Sequence, residues 1–452
     1  MKFIIVGAGE LGSLLASTLL ERKHDVILLD NSQDELERVS SKLDVMTVEG
    51  SCSSVAALKK AGAESAHTLI AVSGDEAANI LACQIASRLG VNNTICRLYR
   101  SDAFSEEDGI GASTFGIWRT FSPPEVCAVK IADVLACEIL LERIHFSRNV
   151  AQMAVIGIDR SSVLAGVPIK NIPGSSEILR SVRFAAILRG QNMLVPHGDT
   201  ILAPGDKVYV AGKKENVDEF LQWLMPSASG FQRRLVISGS NETSQILAHR
   251  ALEAGFEVRF IEPDRKKCED LQDQFPSSVM ILNGDFTEEE ILEEAGVGAA
   301  DVFVNVSHDD ENNILSCILA KRMGARKVIS LTHKPEYAKI VPALEMIDCA
   351  FSATLVSVNS ILRLLDSGAM RVDAILQRFR ANLSEFRISA GSPLCGKRLS
   401  ECRLPSSLIL ALVFRGEEVL TPSGSTVLEK DDVAVAIVAQ EGIREIKALF
   451  PK

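Results

Sequence analysis

The chain has 452 residues, 47% apolar and 24% charged, with a formal net charge of -11. That is too long for one hydrophobic core and ordinary for a globular protein of several domains. The acidic balance, with only three Tyr and two Trp, speaks against a nucleic-acid surface, which needs basic patches and stacking rings. Ten cysteines stand singly, with no CxxC pair and no Cys/His cluster at metal spacing, so reduced thiols filling core space are expected and no metal site.

In chain order, the opening apolar run ends by Ala8, before Glu10, which is short for a signal peptide. No stretch approaches the roughly 18 apolar residues of a membrane span. A cytoplasmic protein is expected. The runs FIIVG, DVILLD, VMTVEG, TLIAVS and NTICRL read as strands, alternating with helical patterns over 10–22, 33–42 and 76–89. Such alternation predicts an α/β fold, a doubly wound parallel sheet of Rossmann type.

GAGELG, residues 7–12, follows the first strand directly and opens a helix. Gly7 suits a tight turn, Gly9 lets the backbone approach a pyrophosphate, and Gly12 lets helix and strand pack closely. Amides of Ala8, Glu10 and Leu11 lie at the helix start, where the dipole favours phosphate. Asp30 ends the second strand, placed to accept from adenosine ribose hydroxyls, with Asn31 beside it; a carboxylate there favours NAD over NADP. The carboxyl ends of later strands complete the pocket with Gly50-Ser51-Cys52 and Ser73-Gly74-Asp75. Arg97 on the fifth strand is a candidate phosphate partner, or equally a surface ion pair.

The chain then repeats itself. FIIVGAG (3–9) matches LVISGSN (235–241), VSGDEAANIL (72–81) matches VSHDDENNIL (306–315), and LAGVPI (164–169) matches LCGKRL (394–399). LRGQNMLVPHGDTILAPGDKVYV (188–210) matches FRGEEVLTPSGSTVLEKDDVAVA (414–436). So ordered a series means tandem duplication. Each copy is a Rossmann-like part followed by a small α+β module with short strands and Pro-Gly or Gly-Asp turns. The expected divisions are 1–122, a connecting helix 123–145, 146–228, 229–352, a connecting helix 353–381, and 382–452.

The second copy has lost part of its loop: Gly239, Asn241 and Ser244 stand for three glycines, adding side chains where pyrophosphate and helix must come close. Glu262 keeps the ribose acid and Gly284-Asp285 the later turn, so Gly239, Glu262 and Asp285 are candidate contacts of a weaker second site. No catalytic constellation is visible: seven histidines lack a paired nucleophile motif, and GxSxG, HExxH and Walker A sequences are absent. His308, which matches Gly74, is a candidate lining of the second pocket. Asp309-Asp310-Glu311 is expected to cap a helix.

The order GxGxxG, acid, V-[ST]-x-D-[DE]-x-x-N, small C-terminal module, all twice over, resembles the cytoplasmic TrkA-type subunits of bacterial Trk potassium-uptake systems, with tandem RCK domains. The resemblance implies a regulatory subunit rather than an enzyme. It implies NAD(H) as ligand, with ATP or ADP as further candidates. It also implies a homo-oligomeric ring of RCK units held to the cytoplasmic membrane face by a potassium-transporter subunit. It assigns Gly7 to Leu11 to the phosphate loop, Asp30 to ribose, Ser73-Gly74 to the fourth-strand contact and Arg97 to phosphate. Gly50-Ser51-Cys52 departs from the usual Gly-Asp turn. The competing readings are an NAD-dependent oxidoreductase, a structural scaffold, and a regulator of another transporter or channel class.

Overall fold

The computed structural model describes residues 1–452 except 101–102, 106–107, 147–149, 173–175, 191, 226–232, 335, 338–340, 342–345, 366–369, 377–380, 406–407, 440–445, 447–448 and 451–452. It divides into two compact units, residues 1–129 with 234–364 and residues 130–233 with 365–452.

The first half of the first unit is one parallel sheet. Strands β1 (Lys2–Val6), β2 (Asp25–Asp30), β3 (Met46–Glu49), β4 (Thr68–Ala71), β5 (Asn93–Arg97) and β6 (Arg119–Phe121) lie in the order β3-β2-β1-β4-β5-β6. Helices α1 (Glu10–Glu21), α2 (Gln33–Ser40), α3 (Val55–Lys60) and α4 (Glu76–Arg88) connect them, and α5 (Pro123–Leu135) follows. β1 and β4 are apolar almost throughout because both faces of a central parallel strand are covered. The order reverses between β1 and β4, which opens the crevice where doubly wound sheets bind ligands.

The chain continues through β7 (Leu140–His145), β8 (Ala151–Gly157), α6 (Ser176–Ser181), β9 (Val182–Arg189), β10 (Asn192–Leu194), β11 (Lys207–Lys213) and α7 (Lys214–Leu224). These strands form an antiparallel sheet, β10-β9-β11-β8-β7. The second half repeats the plan. Strands β12 (Arg234–Ser238), β13 (Glu257–Glu262), β14 (Met280–Asn283), β15 (Val302–Asn305), β16 (Lys327–Thr332) and β17 (Cys349–Ser352) lie in the order β14-β13-β12-β15-β16-β17. Helices α8 (Glu242–Glu253), α9 (Arg265–Gln274), α10 (Glu289–Glu294), α11 (Asp310–Met323) and α12 (Ala353–Leu365) accompany them. A last antiparallel sheet, β18-β19-β22-β20-β21, is built from β18 (Met370–Leu376), β19 (Ala381–Arg387), β20 (Leu408–Arg415), β21 (Glu418–Leu420) and β22 (Val433–Ala439).

The connecting helices expected over 123–145 and 353–381 are shorter than the sequence pattern suggests. α5 stops at Leu135 and residues 140–145 are strand β7; α12 stops at Leu365 and residues 370–376 are strand β18. The run LLERIH satisfies alternation as well as helical spacing, and antiparallel pairing with β8, from Leu140 opposite Ile156 to His145 opposite Gln152, decides it. The division expected at 228/229 falls outside the described residues. Among those described, no helix is long and apolar enough to cross a membrane.

Within the second unit the duplication preserves one polar device. Arg189 Nε and Nη2 donate to the two carboxylate oxygens of Asp206 at 2.8 and 2.7 Å, and Arg415 repeats this with Asp432 at 3.0 and 2.8 Å. Each aspartate is buried and also accepts a backbone N–H, from Ala203 or Glu429, at 2.8 Å. Each arginine clasps a passing carbonyl, Ile201 or Val427. A bidentate pair of this kind fixes the loop before the last long strand of each module.

Candidate functional site

A cavity of about 710 Å³ in the first unit opens at the carboxyl ends of β1, β4 and β5. Gly7, at φ +103°, makes the turn that leaves β1; a Cβ there would stand 2.9 Å from the Ser73 backbone nitrogen. At Gly12 a Cβ would come within 1.8 Å of the Gly7 carbonyl oxygen, so close helix–strand packing demands glycine. Gly9 is different: a Cβ there meets nothing within 4 Å and would project into open space. Backbone without a side chain therefore forms the cavity wall at this point.

Gly7, Gly9, Glu10, Leu11, Gly12, Asp30, Asn31, Ser51, Cys52, Ser73, Gly74 and Arg97 all line this one cavity. Ala8 does not; it is buried, and its amide donates to Asp30 Oδ2 at 2.7 Å while Ser32 N donates to Oδ1 at 2.9 Å. Those two bonds aim the Asp30 carboxylate. Arg97 donates only weakly, from Nη1 to the Val72 carbonyl at 3.4 Å, and lies near the Tyr99 ring at 6.0 Å. Among the described residues no carboxylate pairs with it. Burial pulls its guanidinium down from the ordinary value, opposed by Tyr99. A half-buried cation without a counter-ion, beside a glycine loop and a helix N-terminus, is suited to an anion.

The motif V-[ST]-x-D-[DE]-x-x-N now has a physical reading. Asp75 caps α4, accepting from Ala78 N at 3.0 Å, and the buried Asn79 ties two strand ends together. Its Nδ2 donates to the carbonyls of Ser73 and Arg97, and Ser73 Oγ donates to its Oδ1. Asn313 does the same with Ser307 and Leu331 in the second half. Asp309 caps α11 as expected, accepting from Asn312 N. Asp310 instead is buried and accepts from His333 N, His333 Nδ1 and Lys334 N at 2.8–3.0 Å.

The second-half candidates behave otherwise. Gly239 keeps the turn at φ +89°, but it does not line this cavity, and neither do Glu262 and Asp285. Asn241 Nδ2 donates to the Val306 carbonyl at 2.6 Å, placing a side chain where the first half has Gly9, and Asn241 with Ser244 closes a capping box. Glu262 is buried and accepts from Ser240 N and Asp264 N, the same pair of backbone bonds that Asp30 accepts from Ala8 and Ser32. Asp285 accepts from Thr287. The loss of two glycines has been made good by the chain itself.

What the second half contributes to the first cavity was not foreseen. Asn241, Glu242, Thr243, His308, His333 and Thr354 line it alongside the first glycine loop. His308 thus faces the first site. His333 could have been found from the repeat, since it occupies the position of Tyr99.

Cys52 also lines the cavity, and burial pushes its thiol up, with Asp75 and Asp30 adding to the rise. Cys127, buried and pushed up to about 12 by desolvation, sits in the same wall. Iodoacetamide at pH 8.5 is expected to label Cys52 and leave Cys127 intact, and a saturating nucleotide should slow Cys52 labelling at least about fivefold. Peptide mapping by mass spectrometry reads both.

The TrkA-N domain family matches residues 3–114 and 235–352, and the TrkA-C domain family matches 153–225 and 383–450. The chain belongs to the TrkA family. It is 29% identical over 460 aligned positions to the "Trk system potassium uptake protein TrkA" of Halomonas elongata, covering 100% of this chain and 98% of that one. The crystal structure of the GsuK RCK domain superposes with a TM-score of 0.64 at 16% identity, covering 99% of this chain and 94% of that one. The GsuK channel bound to NAD gives 0.62 at 16% identity, covering 99% and 78%. At that identity the likeness is one of fold. The tandem TrkA architecture accounts for both Rossmann-like sheets and both small modules.

Proposed function

We propose that this chain is the nucleotide-sensing regulatory subunit of a membrane potassium-uptake transporter, with NAD(H) bound on residues 7–12. The observation that carries the reading is the convergence in one cavity of the glycine loop, Asp30 and an Arg97 that pairs with no carboxylate among the described residues. The relatives' role in potassium uptake and the binding of NAD by a protein of the same fold support it. The pyrophosphate is held by the amides at the start of α1 and by Arg97, the adenosine ribose by Asp30, and Ser51, Cys52, Ser73 and Gly74 close the adenosine side. ATP or ADP would use the same adenosine contacts. The six segments divided near 122, 145, 228, 352 and 381 serve as two RCK units. A ring of such units would meet the transporter at the cytoplasmic face. Gating then requires that the nucleotide bind two arrangements of the ring with different affinity.

Asp30→Ala should lower NADH affinity about 100-fold, since two ribose hydroxyl bonds to a charged acceptor contribute ~1.5 kcal/mol each. Calorimetry on the full chain checks it, and unchanged affinity removes the site assignment. Co-purification with the transporter's membrane subunit, with and without NADH, tests the partner. No association under either condition would leave the regulatory reading without support.

A further inference from the structure

His308 and His333 are the residues that the described function leaves unused. Both line the cavity of the first glycine loop, and their rings lie 5.6 Å apart at 32°. In the duplicated plan they stand where the first half has Gly74 and Tyr99, while Leu331 stands where it has Arg97. The second half has therefore given up a permanent cation and acquired two imidazoles. It has also filled its own glycine turn with Asn241 and Ser244. Its side chains now line the first half's cavity.

We propose that His308, positioned by His333, is a proton-dependent clamp on the phosphate groups of a nucleotide bound at the first site, so that binding takes up a proton. The inference rests on the nucleotide reading above.

The geometry supports this arrangement. Asp310 is buried and holds His333 through Nδ1 at 3.0 Å, while Thr354 Oγ1 donates to the His333 carbonyl at 2.8 Å. Burial alone would raise the Asp310 carboxyl, but hydrogen bonds from the His333 ring and from Lys334 N and His333 N hold it below the usual carboxylate range. His333 is thus fixed, with the His308 ring beside it.

Desolvation is the main cause that lowers His308 below imidazole's ordinary 6.5; His333 and Lys267 add to this, and Glu242 opposes it. Asp309 is engaged in capping α11, and Lys334 is paired with Glu311. A phosphate anion reverses the balance: it favours the imidazolium and raises the bound-state value above the free one. Between those two values the ligand-bound protein holds the extra proton. Affinity therefore rises as pH falls through this window and levels off below it.

NADH is the decisive probe, because its pyrophosphate has no terminal group titrating near pH 6, whereas the terminal phosphate of ADP does. Calorimetry on the full chain should show NADH affinity rising about five- to tenfold from pH 8 to pH 6, within the tenfold per pH unit that one proton permits. Titrations in buffers of different ionisation enthalpy should show net proton uptake. His308→Gln should flatten the slope, abolish the uptake and weaken binding at pH 6 about fivefold. His333→Gln should reduce the slope through loss of positioning. His249→Gln, outside the cavity, should keep it. ADP should retain part of its pH dependence in H308Q. No binding of NADH or ADP at any pH overturns the nucleotide reading and the clamp with it. NADH binding with a flat pH profile, or a slope that survives in H308Q, overturns the clamp alone.

Discussion

Gly12→Ser is expected to destabilise the first Rossmann half by about 3–5 kcal/mol and to abolish nucleotide binding, although serine is what the second half carries at this position. The reason is the 1.8 Å that would separate the new Cβ from the Gly7 carbonyl oxygen, a backbone atom that cannot step aside. In the second half Ser244 is accepted because the turn has changed around it. Asn241 adopts φ -151° where Gly9 has -62°, and the Ser244 hydroxyl closes a capping box. Trp118 lies in the first unit and Trp223 in the second. Fluorescence of Trp118 in a W223F background should therefore lose its transition at lower urea. A midpoint equal to that of the parent would show that α1 can shift without cost.

The second large effect is expected at Asp206. Asp206→Ala should cost about 3–5 kcal/mol, because it strips Arg189 of its bidentate partner and leaves the part-buried Ala203 amide without its acceptor. Arg189 is half exposed and can find water, so the loss belongs mainly to the acceptor side. Trp223, whose ring packs 6.0 Å from Phe220, reports on this unit in a W118F background. Asp432→Ala removes the equivalent contacts of Arg415 and should behave alike. A change under about 1 kcal/mol would reduce the repeated pair to a surface ornament.

The first glycine loop was legible because its chemistry is local. A strand, three glycines, a helix and an acid at the next strand end are all set by neighbours in sequence, and Gly7 to Gly12 with Asp30 meet in space as their spacing implies. Asn79 and Asn313 were visible as motif letters but not as clamps, since their partners lie on a different strand. The strands at Leu140–His145 and Met370–Leu376 were hidden by apolar runs that satisfy two periods at once, with the choice left to pairing. His333 gave no signal of its own. Only the duplication, which sets it opposite Tyr99, and the fold, which turns both halves toward one cavity, show what it faces.

The Asn241 side chain in the second turn has a consequence for ligand counting. Two Rossmann sheets share one working loop, so each chain would bring one nucleotide to an assembly rather than two. In the proposed ring the steepness of a saturation curve would then be capped by the number of chains, not by the number of Rossmann sheets. Restoring glycine at 241 and 244 would offer a second loop without adding a subunit. The titration endpoint would move before the shape of the curve did.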